Sequence, residues 1–134
     1  MQKLKQIDST GCGIACIAML ANLDYEEVKG YAVNRMGLGK GGDFYADTRH
    51  LRELGHMCNL EVGKKKRPFK SFEALPNTAI LAINYNAEDN KWHWVVYHRT
   101  EYDEYVLDPR AEIKSDKRRD FGRLQKYTLG VGAA

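Results

Sequence analysis

Gly11-Cys12-Gly13-Ile14-Ala15-Cys16-Ile17-Ala18-Met19-Leu20-Ala21 is the stretch on which the fold turns. From Ile14 onward no charged residue interrupts it. A helix there has no polar face to give to water and must be buried on all sides. Asn22 and Leu23 end the run, and the short polar-flanked segment Leu4 to Ser9 leads into it as an entry strand or extended arm. The rest of the chain has to supply the cover this helix needs.

Working outward, Asp24 followed three residues later by Glu27 reads as a capping box opening a second helix. Val28, Tyr31 and Ala32 share one face of that helix, which runs to about Arg35. Met36 to Asp43 holds Gly37, Gly39, Gly41 and Gly42 and is a loop by composition; it lacks the Gly-Lys-Ser/Thr ending of a phosphate-binding loop. A third helix starts near Asp43 or Phe44, carries Thr48, Leu51 and Leu54, and stops at Gly55 by the C-terminal glycine rule. Cys58 to Val62 reads as a short strand, and Ser71 to Leu75 as one helical turn closed by Pro76. Then the character changes. Thr78 to Tyr85, Trp92 to Arg99 and Glu101 to Leu107 are rich in Val, Ile, Tyr and Trp and are separated by turn residues. Three helices followed by three strands predict one α+β domain over residues 1–134, a helical half packed on an antiparallel sheet, with a substrate groove between the halves.

Composition agrees. With 43% hydrophobic and 29% charged residues in 134, the chain can build a core without staples, which excludes a disordered chain, a collagen-like chain and a disulfide miniprotein. No apolar run approaches the roughly 18 residues of a membrane span, and Met1 to Lys5 is not a signal peptide's start. The expected setting is cytoplasmic, or export without a recognisable signal peptide. The net charge of +3 is too small to argue for nucleic acid. Its basic clusters, Lys64 to Arg67 and Lys117 to Arg119, read as solvated loops before they read as a phosphate-binding surface. Cys12, Cys16 and Cys58 are odd in number and point to free thiols.

Of these thiols, Cys12 is placed for chemistry. It opens the buried helix, where unpaired backbone N–H groups and the positive end of the helix dipole favour a thiolate. Its glycine neighbours leave room for a substrate backbone. Cys16, one turn later, and Cys58 read as packing residues. His93 lies in Lys91-Trp92-His93-Trp94-Val95-Val96-Tyr97, where alternation puts His93, Val95 and Tyr97 on one face and Trp92, Trp94 and Val96 on the other. A hairpin turning at about Arg99 to Glu101 brings Asp108 to a comparable distance along the neighbouring strand, able to orient the imidazole as the third member of a nucleophile–base–acid triad. Gln6 can donate an amide hydrogen bond to an oxyanion beside the Cys12 N–H. A metal reading of Cys12, Cys16, His50, His56 and Cys58 ranks well below this, because neither Cys-x3-Cys nor His-x5-His-x-Cys is a standard zinc spacing. No cofactor or metal is expected.

The order Gln6, Cys12, His93, Asp108 resembles the papain-like cysteine peptidases, and most of all the bacteriocin-processing peptidases that cut after a double glycine. Gln6 to Cys16 is similar to that family's Gln-x5-Cys-Gly-x-Ala element, Leu51 to Gly55 to its helix ending in Leu-Gly, and His93-Trp94-Val95-Val96 and Asp108-Pro109 to its other two motifs. The family commonly has Asp where this chain has Gly11. The resemblance spans about Leu4 to Pro109. It implies a bacterial papain-like domain with Cys12 as nucleophile, His93 as general base and then acid, Asp108 as orienting residue and Gln6 in the oxyanion hole. The substrate it implies is a peptide or protein, cleaved at a peptide or isopeptide bond through an acyl-enzyme. Two other readings keep the fold: an effector or toxin performing deamidation, acyl transfer or RNA cleavage, and a non-catalytic peptide-binding module.

Overall fold

The structure is a computed structural model that describes residues 1–63 and 65–133, so Lys64 of the first basic cluster lies outside the described residues. Helix α1 spans Cys12–Ala21, α2 Tyr25–Met36, α3 Thr48–Met57 and α4 Phe121–Tyr127; the strands are β1 Arg67–Pro68, β2 Thr78–Asn86, β3 Lys91–Arg99, β4 Glu104–Leu107 and β5 Thr128–Ala133. The strands form one antiparallel sheet in the order β1-β5-β2-β3-β4. This is the α+β class expected, and β1, β5 and α4 are elements that the sequence reading did not announce.

Every residue of α1 from Cys12 to Met19 is buried. Ile14 and Ile17 have no exposed surface, and burying each stabilises the fold by about 1.5–3 kcal/mol. The cover comes from α2, α3 and one face of the sheet. Ile80 and Ala82 of β2 and Trp94 and Val96 of β3 pack toward α1. Ala79, Leu81, Ile83, Val95 and Tyr97 point the other way, into a second cluster with Phe72, Leu75, Leu124 and Val131. The alternation read in β3 is therefore present, but the sheet is buried on both faces.

Several local expectations need correction. Asp24 is the N-cap of α2 but makes no side-chain capping bond. The capping box sits instead on α3, where the Asp47 carboxylate accepts the His50 N–H at 2.9 Å and His50 Nδ1 accepts the Asp47 N–H at 3.1 Å. That pair starts α3 at Thr48 rather than near Asp43. The helix also passes through Gly55 to Met57. Gly55 serves close approach, since a Cβ there would lie 2.5 Å from Val62 Cγ2. Residues 58–62 form no strand; Asn59 turns the chain at φ 62° and Leu60 and Val62 lie against the α1 core. Ser71 to Leu75 is a hydrogen-bonded turn, not a helix: the Ala74 N–H donates to Ser71 Oγ at 3.2 Å and the Leu75 N–H to the Phe72 carbonyl at 3.2 Å. The last predicted strand begins at Glu104, because Thr100 to Asp103 closes a turn with an N–H···O bond of 2.7 Å.

Candidate active site

Cys12 is the first residue of α1, and its side chain meets the start of β3. Strand β4 pairs with β3 only from Val96 to Arg99, so the Trp94 N–H lies beyond its end and donates to Cys12 Sγ at 3.5 Å. Gly13 lets the helix come this close, since a Cβ there would stand 2.9 Å from Ala46 Cβ and 3.1 Å from Leu51 Cδ2. Gly11 is tight for a similar reason, its missing Cβ falling 1.9 Å from Tyr25 Oη. Tyr25 Oη in turn donates to Asp8 Oδ2 at 2.7 Å. Both glycines thus accommodate the protein's own side chains, and the expectation that they clear a path for substrate is replaced by packing.

His93 and Asp108 are in contact. Asp108 is fully buried and accepts from His93 Nε2 at 2.7 Å. That bond commits one ring nitrogen of His93 to the carboxylate and leaves the other uncommitted, with Cys12 near enough to act on the charge of the ring. Burial works against a charge on His93, but the interactions with Asp108 and Cys12 outweigh it and raise its pKa above the ordinary imidazole value. For Asp108, burial likewise favours the neutral acid, yet the hydrogen bonds from His93 and Arg110 hold the carboxyl well below the usual range.

Asp108 has partners that sequence reasoning missed. Arg110 donates from Nη2 to Asp108 Oδ2 at 3.1 Å and from its backbone N–H to Oδ1 at 3.1 Å. Arg118 Nη1 donates to Oδ2 at 2.9 Å while its Nε and Nη2 bond both oxygens of Asp120. Arg118 comes from the second basic cluster, and its side chain is only 11% exposed, so that cluster is no solvated loop at this point. Arg119 beside it pairs with Asp103 at 2.7 Å. The signal was present in Asp108-Pro109-Arg110, where a basic residue two places after a carboxylate can turn back on it.

Gln6 lies beside the pair. Its backbone N–H donates to the Pro109 carbonyl at 2.8 Å, and its side-chain Nε2 donates to the carbonyls of Asp8 and Ser9 at 3.0 and 2.9 Å. Its Oε1 is buried without a partner. The other unpartnered buried polar side-chain atoms among the described residues are Tyr45 Oη and Trp92 Nε1. Their rings meet edge to face at 6.0 Å, Trp92 meets Trp94 edge to face at 5.5 Å, and Lys66 Nζ lies 3.4 Å above Trp92.

Cys16 is wholly buried, and desolvation pushes its thiol well up; burial raises Cys58 too. Among the described residues no group of three His, Cys, Asp or Glu side chains is placed to hold a metal ion, and no helix is long and apolar enough to cross a membrane.

Two comparisons, with curated proteins and with solved structures, gave no match. The family model of the Peptidase C39 family matches residues 1–130, a span that takes in all five strands but the end of β5 and contains Gln6, Cys12, His93 and Asp108. A match of that extent, on a papain-like α+β fold, means that the chain belongs to the Peptidase C39 family and is a cysteine peptidase.

Proposed function

We propose that Cys12 attacks the scissile carbonyl of a peptide as a thiolate paired with the His93 imidazolium. The observation that carries this reading is the bond of 2.7 Å between His93 Nε2 and the buried Asp108, which leaves the opposite ring nitrogen for the sulfur. The S–C bond forms as the carbonyl π electrons move onto oxygen. The Cys12 N–H, free at the first position of α1, and the Gln6 amide receive that oxyanion. Gln6 exchanges one of its carbonyl partners for the oxyanion as the substrate seats. Collapse breaks the C–N bond, His93 passes its proton to the departing amine, and a thioester remains on Cys12. Water then attacks the thioester and gives one proton to His93, and collapse breaks the C–S bond to release the thiolate and a carboxylic acid, which loses its remaining proton to solvent.

The same site favours a scissile bond flanked by glycine. The sulfur-bearing residue is only 5% exposed, so the residues nearest the cut have little room for side chains. The Tyr45 and Trp92 donors, unpartnered in the free protein, suit the carbonyls of an extended backbone. Products of a peptide library identified by mass spectrometry test the proposal. Cleavage after Gly-Gly that disappears in Cys12→Ala is expected. Cleavage that survives Cys12→Ala overturns the nucleophile, and cleavage after bulky residues overturns the glycine preference alone.

A further inference from the structure

A cavity of about 170 Å3 has Arg110, Arg118, Arg123, Asn84 and Tyr127 as its polar walls, and two of these arginines, Arg110 and Arg118, are ion-paired to Asp108. Its three guanidinium groups are set against two neighbouring carboxylates: Arg110 and Arg118 pair with Asp108 and Arg118 also with Asp120, while Arg123 has no ion pair among the described residues. The surplus positive charge grows by one more when His93 is protonated. Arg118 commits its Nε, Nη1 and Nη2 to those carboxylates, but each terminal nitrogen of an arginine carries two N–H donors, so it keeps capacity for another acceptor. Arg110 bonds Asp108 from one edge only. Arg123, on α4, has no carboxylate partner among the described residues and acts on Asp120 only through its charge. Guanidinium forks converging on a small polar cavity match the geometry of a tetrahedral oxyanion, which accepts paired N–H donors from each.

We propose that this cavity is an oxyanion site for a phosphate-sized tetrahedral anion, held by Arg110, Arg118 and Arg123. An anion there offsets the surplus charge on Arg110 and Arg118, the two arginines that pair with Asp108, and so is linked to the proposed triad through them. Binding itself does not depend on the peptidase chemistry, and it is measured without a peptide.

The probe is inorganic phosphate, titrated against sodium chloride at equal ionic strength, with melting temperature and 31P line width of the free anion as readouts. Wild type is expected to gain several degrees in a saturable manner and to broaden the phosphate signal. Arg123→Gln, an exposed position, is expected to weaken the apparent affinity about tenfold or more. Arg52→Gln, the same change of charge on α3, is expected to behave as wild type. General stabilisation by an excluded salt does not saturate or depend on one arginine. If Arg123→Gln melts lower without phosphate, the line width on folded protein at low temperature decides. Phosphoserine that saturates the same Arg123-dependent response supports the site and assigns the anion to a larger carrier, whereas no response to phosphoserine beside one to phosphate assigns it to the free ion. Phosphate acting no better than chloride, or equally on Arg123→Gln, overturns the proposal.

Discussion

Cys12, Cys16 and Cys58 share a side chain and differ in what surrounds it. Cys12 opens a helix beside an imidazole, Cys16 is enclosed by apolar side chains, and Cys58 is buried where helix α3 ends. Burial raises the pKa of the second and third thiols and so holds their protons on. Iodoacetamide at neutral pH is therefore expected to label Cys12 first in the folded protein, with Cys16 and Cys58 reacting only after unfolding. Peptide mapping of the labelled protein checks this, and equal labelling of the three would remove the basis for a selective nucleophile. Asp108 acts at the same scale. Replacing it by Asn removes an ionic partner that raises the His93 pKa, so the alkaline limb of kcat/KM, where the imidazolium loses its proton, is expected to move to lower pH. The rate at the optimum is expected to fall by about 10²–10⁴-fold, the usual span of acid–base assistance. Arg118→Gln acts in the opposite sense on the limb. With one guanidinium gone, the carboxylate attracts His93 more strongly and the limb moves up. A shift of both variants in the same direction would show that Arg118 serves only to hold the loop.

The element on which the site depends is the seam between the first turn of α1 and the opening of β3. Gly13 is what allows it, with Ala46, Leu51 and Trp94 all within 3.4 Å of the Cβ it lacks. Gly13→Ala is expected to destabilise the fold by about 1–3 kcal/mol, the usual cost of overpacking, and to lower kcat by moving the sulfur from the imidazole. Urea unfolding and steady-state kinetics check the two halves separately, and a variant that unfolds like wild type would show the seam to be loose. The elements that were legible in the sequence were those whose burial pattern is self-contained. The all-apolar run of α1 and the Val-, Ile- and Trp-rich β2 and β3 could be read directly, and with them the proximity of His93 and Asp108 through the hairpin register. What escaped had its cause elsewhere in the chain. Strand β5 contains Gly130 and Gly132 and is a strand because β1 and β2 flank it; those glycines leave space for Lys66 and for the Trp94 ring. Helix α4 is short and buries only Leu124. The cap at Asp47 depended on a histidine at the third position, where the familiar pattern has Glu or Gln. Arg118 looked solvated because its partner, Asp108, is remote in sequence.

For the whole molecule, the seam is also where charge couples to folding. The second half of the chain delivers Asp108 from β4 and Arg118 from the segment before α4, and the two are locked by an ion pair under the sheet's end. Because the folded pKa of Asp108 is depressed, its contribution to stability is complete above the unfolded value of about 3.9 and is lost as pH falls toward the folded value. The His93 contribution has the opposite sign. With a raised folded pKa, it is complete below the unfolded value of about 6.5 and is lost as pH rises through the folded one. The pair together thus favours the fold most at about pH 5–6. Other carboxylates with depressed values, Asp8, Asp43 and Asp120, steepen the acid flank as well, so the pair must be isolated by difference. Unfolding free energies from urea titrations between pH 3 and 9 are expected to show a maximum in that window for the wild type. Asp108→Asn is expected to be less stable throughout, by about 3–5 kcal/mol at the maximum because two arginines lose a buried counter-charge, and to have shallower flanks on both sides. An Asp108→Asn profile parallel to that of the wild type would mean that the imidazole and the carboxylate do not share a proton balance in the folded protein, and the orienting role assigned to Asp108 would then have to pass to another group.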